Sequence, residues 1–311
     1  MPRINELLRK PQVYVCLALF CQALWGIVFP VIKKCYELFS ISDVGSTYAF
    51  AGTRFVIAGL ILLAIEAVKD RRLPLPDKKT ILPLLFLGTV QTGIVYALQF
   101  AAMISASSIN CSILNGTMVI TSNIIAHFMF RDDRMTARKA IGSVIGFSGV
   151  LVCFLYGGAL EGFTPGGEGL MFLSITAFAF GSNLSRKIAS GISPIVASGY
   201  NLLIGGLEIL ILSFLLGGSL SGGGVLGYAL LLFLAMVSSL CLLLWTSLIN
   251  INSVGKISVF QCINPITGAI AASLLLGENV FQTKYILSVL LVSLGILVIS
   301  YHPKMKSPSA A

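Results

Sequence analysis

Gly52-Thr-Arg-Phe-Val-Ile-Ala-Gly-Leu-Ile-Leu-Leu63 returns 147 residues later as Gly199-Tyr-Asn-Leu-Leu-Ile-Gly-Gly-Leu-Glu-Ile-Leu210. Gly52, Ile57, Gly59, Leu60 and Leu63 each meet an identical residue in the second copy. The same offset brings Leu84-Leu-Phe-Leu87 onto Leu231-Leu-Phe-Leu234, and an offset of 146 brings Val-Leu-Val after Gly149 onto Ile-Leu-Val after Gly295. One echo between leucine-rich stretches carries little weight. A shift that holds across three separate segments predicts two copies of one unit.

Composition names the solvent of those units. Charged residues make up 11% of the chain, against about 25% in ordinary soluble domains, and apolar residues make up 56%. Ten apolar runs, about 13–32, 46–68, 81–102, 107–129, 140–156, 169–187, 194–216, 225–248, 256–277 and 285–301, are each about long enough to cross a bilayer. They leave few residues for a soluble helical domain. The expected fold is therefore an all-α integral membrane protein of ten transmembrane helices. Five helices fall in a first unit over 1–156 and five in a second over 169–301, with 157–168 an external linker and 302–311 a tail. Five is odd, so the second unit enters from the opposite side, an inverted-topology repeat.

Lys and Arg set the orientation. Arg3, Arg9 and Lys10 precede the first run; Lys69, Arg71, Arg72, Lys78 and Lys79 follow the second. Arg131, Arg134, Arg138 and Lys139 follow the fourth, Arg186 and Lys187 the sixth, and Lys304 and Lys306 close the chain. All these segments share one side, which predicts cytoplasmic termini in a multi-pass protein of the cell membrane. The net charge of +9 is a topology signal and a contact for anionic lipid. Spread over short loops, it does not predict nucleic-acid binding. No Ala-x-Ala-like site lies directly after the first run, which the repeat needs as partner of the sixth, so it reads as a helix and not a signal peptide. The seven cysteines, six of them within apolar runs, read as small buried hydrophobes.

Candidate chemistry sits inside the runs. Gln22, Trp25 and Phe29 share one face of the first, which ends at Pro30 and Lys33-Lys34. That face is either a solute-facing stripe or a packing face with an interfacial tryptophan. Gln91, Tyr96 and Gln99 lie in the third run. The fourth is the most polar, with Asn110, Ser112, Asn115, Thr117, Ser122, Asn123 and His127; so many polar groups suggest a face meeting water or solute. Gly142, Gly146 and Gly149 form a small-residue stripe in the fifth, suited to tight helix contact or to a homodimer. Asn183 lies in the sixth run and Trp245 in the eighth. Lys256, Phe260, Asn264 and Thr267 share a face of the ninth, where Pro265 can kink the helix or free a carbonyl. Lys256 either snorkels to the cytoplasmic surface or serves the pathway. Arg54 and Glu208 fall at similar depth, roughly 12 and 9 Å below the outer face at 1.5 Å per residue, so the sequence predicts a direct or water-mediated gating or coupling link between them.

Walker A, G-x-S-x-G, H-E-x-x-H and Cys/His metal spacings do not occur, so neither enzyme chemistry nor a cofactor is expected. Trp25-Gly26 with Phe29 and Lys33, Arg54-Phe55, and Asn264-Pro265 through Leu276-Gly277-Glu278 resemble the EamA-type drug/metabolite transporter superfamily. Arg131-Asp-Asp-Arg-Met135 departs from the usual Gly-Glu-Arg-Leu turn. Val119 or Ile120 stands where the fourth helix usually has a proline. The resemblance implies ten helices and a central cavity lined by helices 1, 3, 4, 6, 8 and 9, with 5 and 10 at the edge. The expected function is export of a small polar metabolite, an amino acid or relative, by alternating access. Gln22, Trp25, Gln91, Tyr96, Asn115, Asn183, Trp245, Phe260 and Asn264 are its candidate contacts. A multidrug exporter of organic cations is the alternative, but it wants a carboxylate that helix 1 lacks; a membrane-embedded enzyme or accessory subunit is a third class.

Overall fold

The computed structural model describes residues 2–129, 134–155, 163–188, 192–252 and 259–300. Among these the chain is helical, without strands. A short basic helix, α1 (Pro2–Arg9), precedes α2 (Pro11–Leu38), α3 (Val44–Asp70), α4 (Ile81–Ser105), α5 (Ser108–Met129), α6 (Ala137–Leu155), α7 (Leu170–Ile188), α8 (Pro194–Leu215), α9 (Gly224–Ile251), α10 (Phe260–Leu276) and α11 (Thr283–Ser300). Helices α2 to α11 fall on the ten apolar runs in order. Seven, namely α2, α3, α4, α5, α6, α8 and the Gly224–Trp245 part of α9, are long and apolar enough to cross a membrane.

Local chemistry sets the ends. Asp43 accepts from the Ser46 N–H (2.8 Å) at the start of α3, and Ser107 from the Asn110 N–H (3.1 Å) at the start of α5. Pro11 and Pro194 occupy first turns, where a missing N–H costs nothing. Gly277, with φ +67°, closes α10 in the left-handed conformation. One proline expectation changes, and the place of a second proline is fixed. Helix α2 runs through Pro30 to Leu38; proline removes the bond to the carbonyl four residues back, and that Gly26 carbonyl faces Gly268 on α10. Pro265 lies in the first α-helical turn of α10, directly after the 3-10 turn Val259–Cys262.

The sequence repeat reappears as paired contacts. Helices α3 and α8 run antiparallel along a glycine seam. A Cβ on Gly52 would fall 2.7 Å from Leu210 Cγ, and one on Gly199 would fall 2.9 Å from Leu63 Cγ. A Cβ on Gly59 would fall 2.6 Å from Leu203 N, and one on Gly206 would fall 2.8 Å from Val56 N. Adding 147 to 52, 56, 59 and 63 gives 199, 203, 206 and 210, so each contact occurs twice with the helices exchanged. Helices α6 and α11 repeat the arrangement at an offset of 146: a Cβ on Gly142 would fall 2.8 Å from the Gly295 carbonyl oxygen, and one on Gly149 would fall 2.9 Å from the Ser288 carbonyl oxygen. The Gly142–Gly149 stripe is thus covered from within the same chain.

Between the seams, α2 packs on α10 and on α9, and α5 packs on α7. Helix α1 folds back so that Leu8 is buried with Ala18 and Leu248, and Asn252 Nδ2 donates to the Leu8 carbonyl (3.2 Å).

Candidate functional site

Helices α2, α5, α9 and α10 bring four of the expected residues into one cluster. The Trp25 and Trp245 rings meet edge to face, 5.5 Å apart at 70°. Asn115 Nδ2 reaches Asn264 Oδ1 at 3.5 Å, the outer limit of a hydrogen bond. Gly26, beside Trp25, lies so close to α10 that a Cβ there would sit 2.6 Å from the Asn264 carbonyl. Ser112 faces Gly268 in the same cluster, and its buried hydroxyl has no hydrogen-bond partner among the described residues. Helix α5 breaks for one residue at Thr117, next to Gly116, which packs against Pro265 and Val292. Loosely paired amides, an unpartnered hydroxyl and two indole edges together form a surface that can hydrogen-bond and stack on a small polar solute.

The other candidates lie elsewhere. Gln22 is buried on α2. Asn183, on α7, donates through Nδ2 to Ser122 O (3.1 Å), Ser122 Oγ (3.0 Å) and Ala179 O (2.9 Å), tying α7 to α5. Phe260 packs with Leu8 and Leu248. Lys256 lies outside the described residues. Gln91 sits in a π-helical segment of α4, Gly88–Ile94, and accepts from Asn201 Nδ2 on α8 (3.1 Å); Thr92 Oγ1 donates to Asn201 Oδ1 (2.8 Å). Tyr96 stacks at 4.3 Å on Phe55.

Arg54 and Glu208 share no direct hydrogen bond or ion pair among the described residues. Arg54 is 4% exposed and donates from Nε (3.2 Å) and Nη2 (2.9 Å) to Ser238 Oγ on α9, with its guanidinium 5.1 Å from the Phe55 ring and 6.0 Å from Phe100. Glu208 turns to α4, where Thr89 Oγ1 donates to it and a Cβ on Gly93 would overlap its other oxygen. Similar depth and a shared seam misled the expectation: the two side chains leave α3 and α8 towards different neighbours.

Three polar residues have contacts that the sequence reading did not assign. Glu168, read as part of an external loop, is 1% exposed and accepts from Asn110 Nδ2 (2.9 Å), Thr164 N (2.9 Å) and Thr164 Oγ1 (3.0 Å). Glu278 accepts from the Ser108 and Ile109 N–H groups (3.0 and 3.1 Å) at the start of α5, where a carboxylate also meets the positive end of the helix dipole. Asn201 is the third; its pairing with Arg54 in the repeat was the available signal.

Comparison with known proteins gives two matches within the chain: the model of the EamA-like transporter family fits residues 12–155 and again 165–301. An uncharacterized transporter of Bacillus subtilis, YyaM, is 25% identical over 303 residues, 93% of each chain. The uncharacterized inner membrane transporter YedA of Escherichia coli K12 is 24% identical over 284 residues, 88% of each chain. An S-adenosylmethionine/S-adenosylhomocysteine transporter of Chlamydia muridarum is 24% identical over 192 residues, 59% of this chain and 58% of that one. A crystal structure with 14% identity superposes with a TM-score of 0.63 over 90% of this chain and 94% of its own, a likeness of fold.

Proposed function

Because the chain belongs to the EamA-like transporter family, and is therefore a multi-pass membrane transporter, we propose that it exports a small polar metabolite, an amino acid or relative, by alternating access. Ten crossings in two inverted five-helix units carry out the exchange, with both termini in the cytoplasm. The observation that carries this reading is the paired contact pattern of α3 with α8 and α6 with α11, which supports two halves packed about a pseudo-twofold axis. Such halves can rock against one another around a site between them. The Trp25–Trp245 and Asn115–Asn264 cluster is that site.

The relative named for S-adenosylmethionine favours amino-acid derivatives and adds one with a sulfonium cation, for which two indoles are suitable neighbours. A carboxylate to hold a multidrug cation is missing from the described members of this cluster; Glu208 is engaged with Thr89 on α4.

Protein in liposomes should exchange radiolabelled amino acids or S-adenosylmethionine, with quaternary ammonium ions competing poorly. Asn264→Ala should lower transport roughly 10-fold, the value of one or two hydrogen bonds to substrate, with folded protein retained. Competition by quaternary ammonium alone would replace this substrate class, and unchanged kinetics in Asn264→Ala would reduce the amide pair to helix packing. Topology has its own check: on a cysteine-free background, single cysteines at either end should resist impermeant thiol reagents applied to intact cells. Ready labelling from outside would reverse the orientation.

A further inference from the structure

We infer that Arg54 is an anion anchor, binding the carboxylate of the transported solute; the inference rests on the carrier reading above and names a chemical feature of its substrate. Arg54 is among the most deeply enclosed charges of the described chain, at 4% exposure. A guanidinium carries five N–H donors. Two of them, on Nε and Nη2, converge on one acceptor, Ser238 Oγ. The other three have no hydrogen-bond acceptor among the described residues, and no carboxylate lies within ion-pair distance. Glu208 is turned to Thr89, and Glu66 to Lys69 and Ser193. Phe55 and Phe100 border the guanidinium, and Tyr96 stacks on Phe55. A buried charge without a counter-ion is costly inside a membrane and marks function more often than packing.

The repeat supplies an internal control. Adding 147 to 54 and to 91 gives 201 and 238, so Arg54 corresponds to Asn201, and Gln91 to Ser238. Asn201 bonds Gln91 at 3.1 Å just as Arg54 bonds Ser238. The bond that ties α3 to α9 is therefore made in the second half, between α8 and α4, by neutral amides. Bracing needs no charge at this position, so the guanidinium is surplus to the brace. Its remaining donors form the planar fork that suits a carboxylate. Ser238 is seven residues before Trp245 on α9, two helical turns or roughly 10 Å. A solute held by its carboxylate at Arg54 therefore extends along α9 towards the tryptophan pair.

That pair also provides the assay, because the chain has 2 tryptophans and both are in the cluster. Quenching of intrinsic fluorescence reads binding to the purified full chain. The probes are L-methionine, L-phenylalanine and S-adenosylmethionine, the carboxamides of the first two, and inorganic phosphate. Wild type should bind the acids at least 10-fold more tightly than the carboxamides. Arg54→Gln, which keeps a donor for Ser238, should weaken acid binding roughly 10–100-fold, as expected for charge-assisted hydrogen bonds, and leave carboxamide binding unchanged. Arg54→Lys should recover part of the loss. Asn201→Ala removes the neutral brace of the other half and should leave acid binding intact. Equal affinity for acids and carboxamides, full acid affinity in Arg54→Gln, equal loss in Asn201→Ala, tighter binding of phosphate, or no acid binding at all would each overturn the anchor. Flux of the amino-acid carboxamides or another neutral polar metabolite in liposomes under any of those outcomes would leave the carrier reading standing, so the two failures are separable.

Discussion

Leucine in place of Gly59 is expected to leave little folded protein in the membrane. The obstacle is backbone: a Cβ at this position would sit 2.6 Å from the Leu203 nitrogen and 2.7 Å from the Gly199 carbonyl. A flexible side chain could turn aside, but a helix backbone has to move as a unit. Helices α3 and α8 would separate, and every contact along their seam would weaken together. Overpacking a well-filled interface costs about 1–3 kcal/mol and more when the backbone is displaced, against a total stability of about 5–15 kcal/mol. Gly206→Leu should do equal harm, because its Cβ would meet the Val56 nitrogen at 2.8 Å, the repeat-equivalent contact with the helices exchanged. Gly166→Ala, with nothing within 4 Å of its Cβ position, serves as the control. Thermal unfolding of detergent-purified variants, followed by size-exclusion chromatography, gives the readout. A wild-type melting point in Gly59→Leu, or a large inequality between the two seam variants, would refute the reciprocal seam.

Removing the Glu168 carboxylate should be nearly as damaging. Glu168→Ala strands the Asn110 amide and both donors of Thr164 in a site with 1% exposure. Each buried polar group left without a partner costs about 1–3 kcal/mol, so a loss of about 3 kcal/mol is expected. Glu168→Gln, which keeps one acceptor oxygen, should lose less. Because Asn110 and Glu168 share a bond, Asn110→Ala should cost less in the Glu168→Ala background than in wild type. Strict additivity in a denaturation cycle would show that the carboxylate and the amide act independently. The bond joins α5 to the segment that leads into α7, so its loss uncouples the two halves of the chain near their junction.

The repeat was legible because it is written in backbone-limited positions. Glycine at 52, 59, 199 and 206 is required by helix approach, so the offset of 147 survived in the letters as well as in the packing. Apolar runs located the helices for the same reason: hydrocarbon demands length and apolarity. The tail was different. Pro2–Arg9 reads as a basic end, and only tertiary contact of Leu8 with Ala18 and Leu248 makes it part of the core. Site residues were legible in type but not in direction. Asn115 touches Asn264 and Trp25 touches Trp245, whereas Asn183 and Gln91 are engaged by neighbouring helices. Helical spacing says which residues share a face but not which face meets a partner. Glu168 was obscured by its glycines, which read as an exposed loop although Gly167 packs against Ala106.

Near-equivalence of the halves bears on which way the molecule rests. If each half can take the shape of the other, the inward-facing and outward-facing forms are built from the same contacts, and identical halves would make them degenerate in energy. Only the mismatches between copies can lift that degeneracy. Arg54 set against Asn201, and Ser238 against Gln91, put a charge on one side of the exchange and neutral groups on the other. In the proposed alternating-access cycle, a handful of such unequal pairs, not the seams, would decide which face of the membrane the empty molecule opens to, and so whether a bound solute or an empty site has to do the turning.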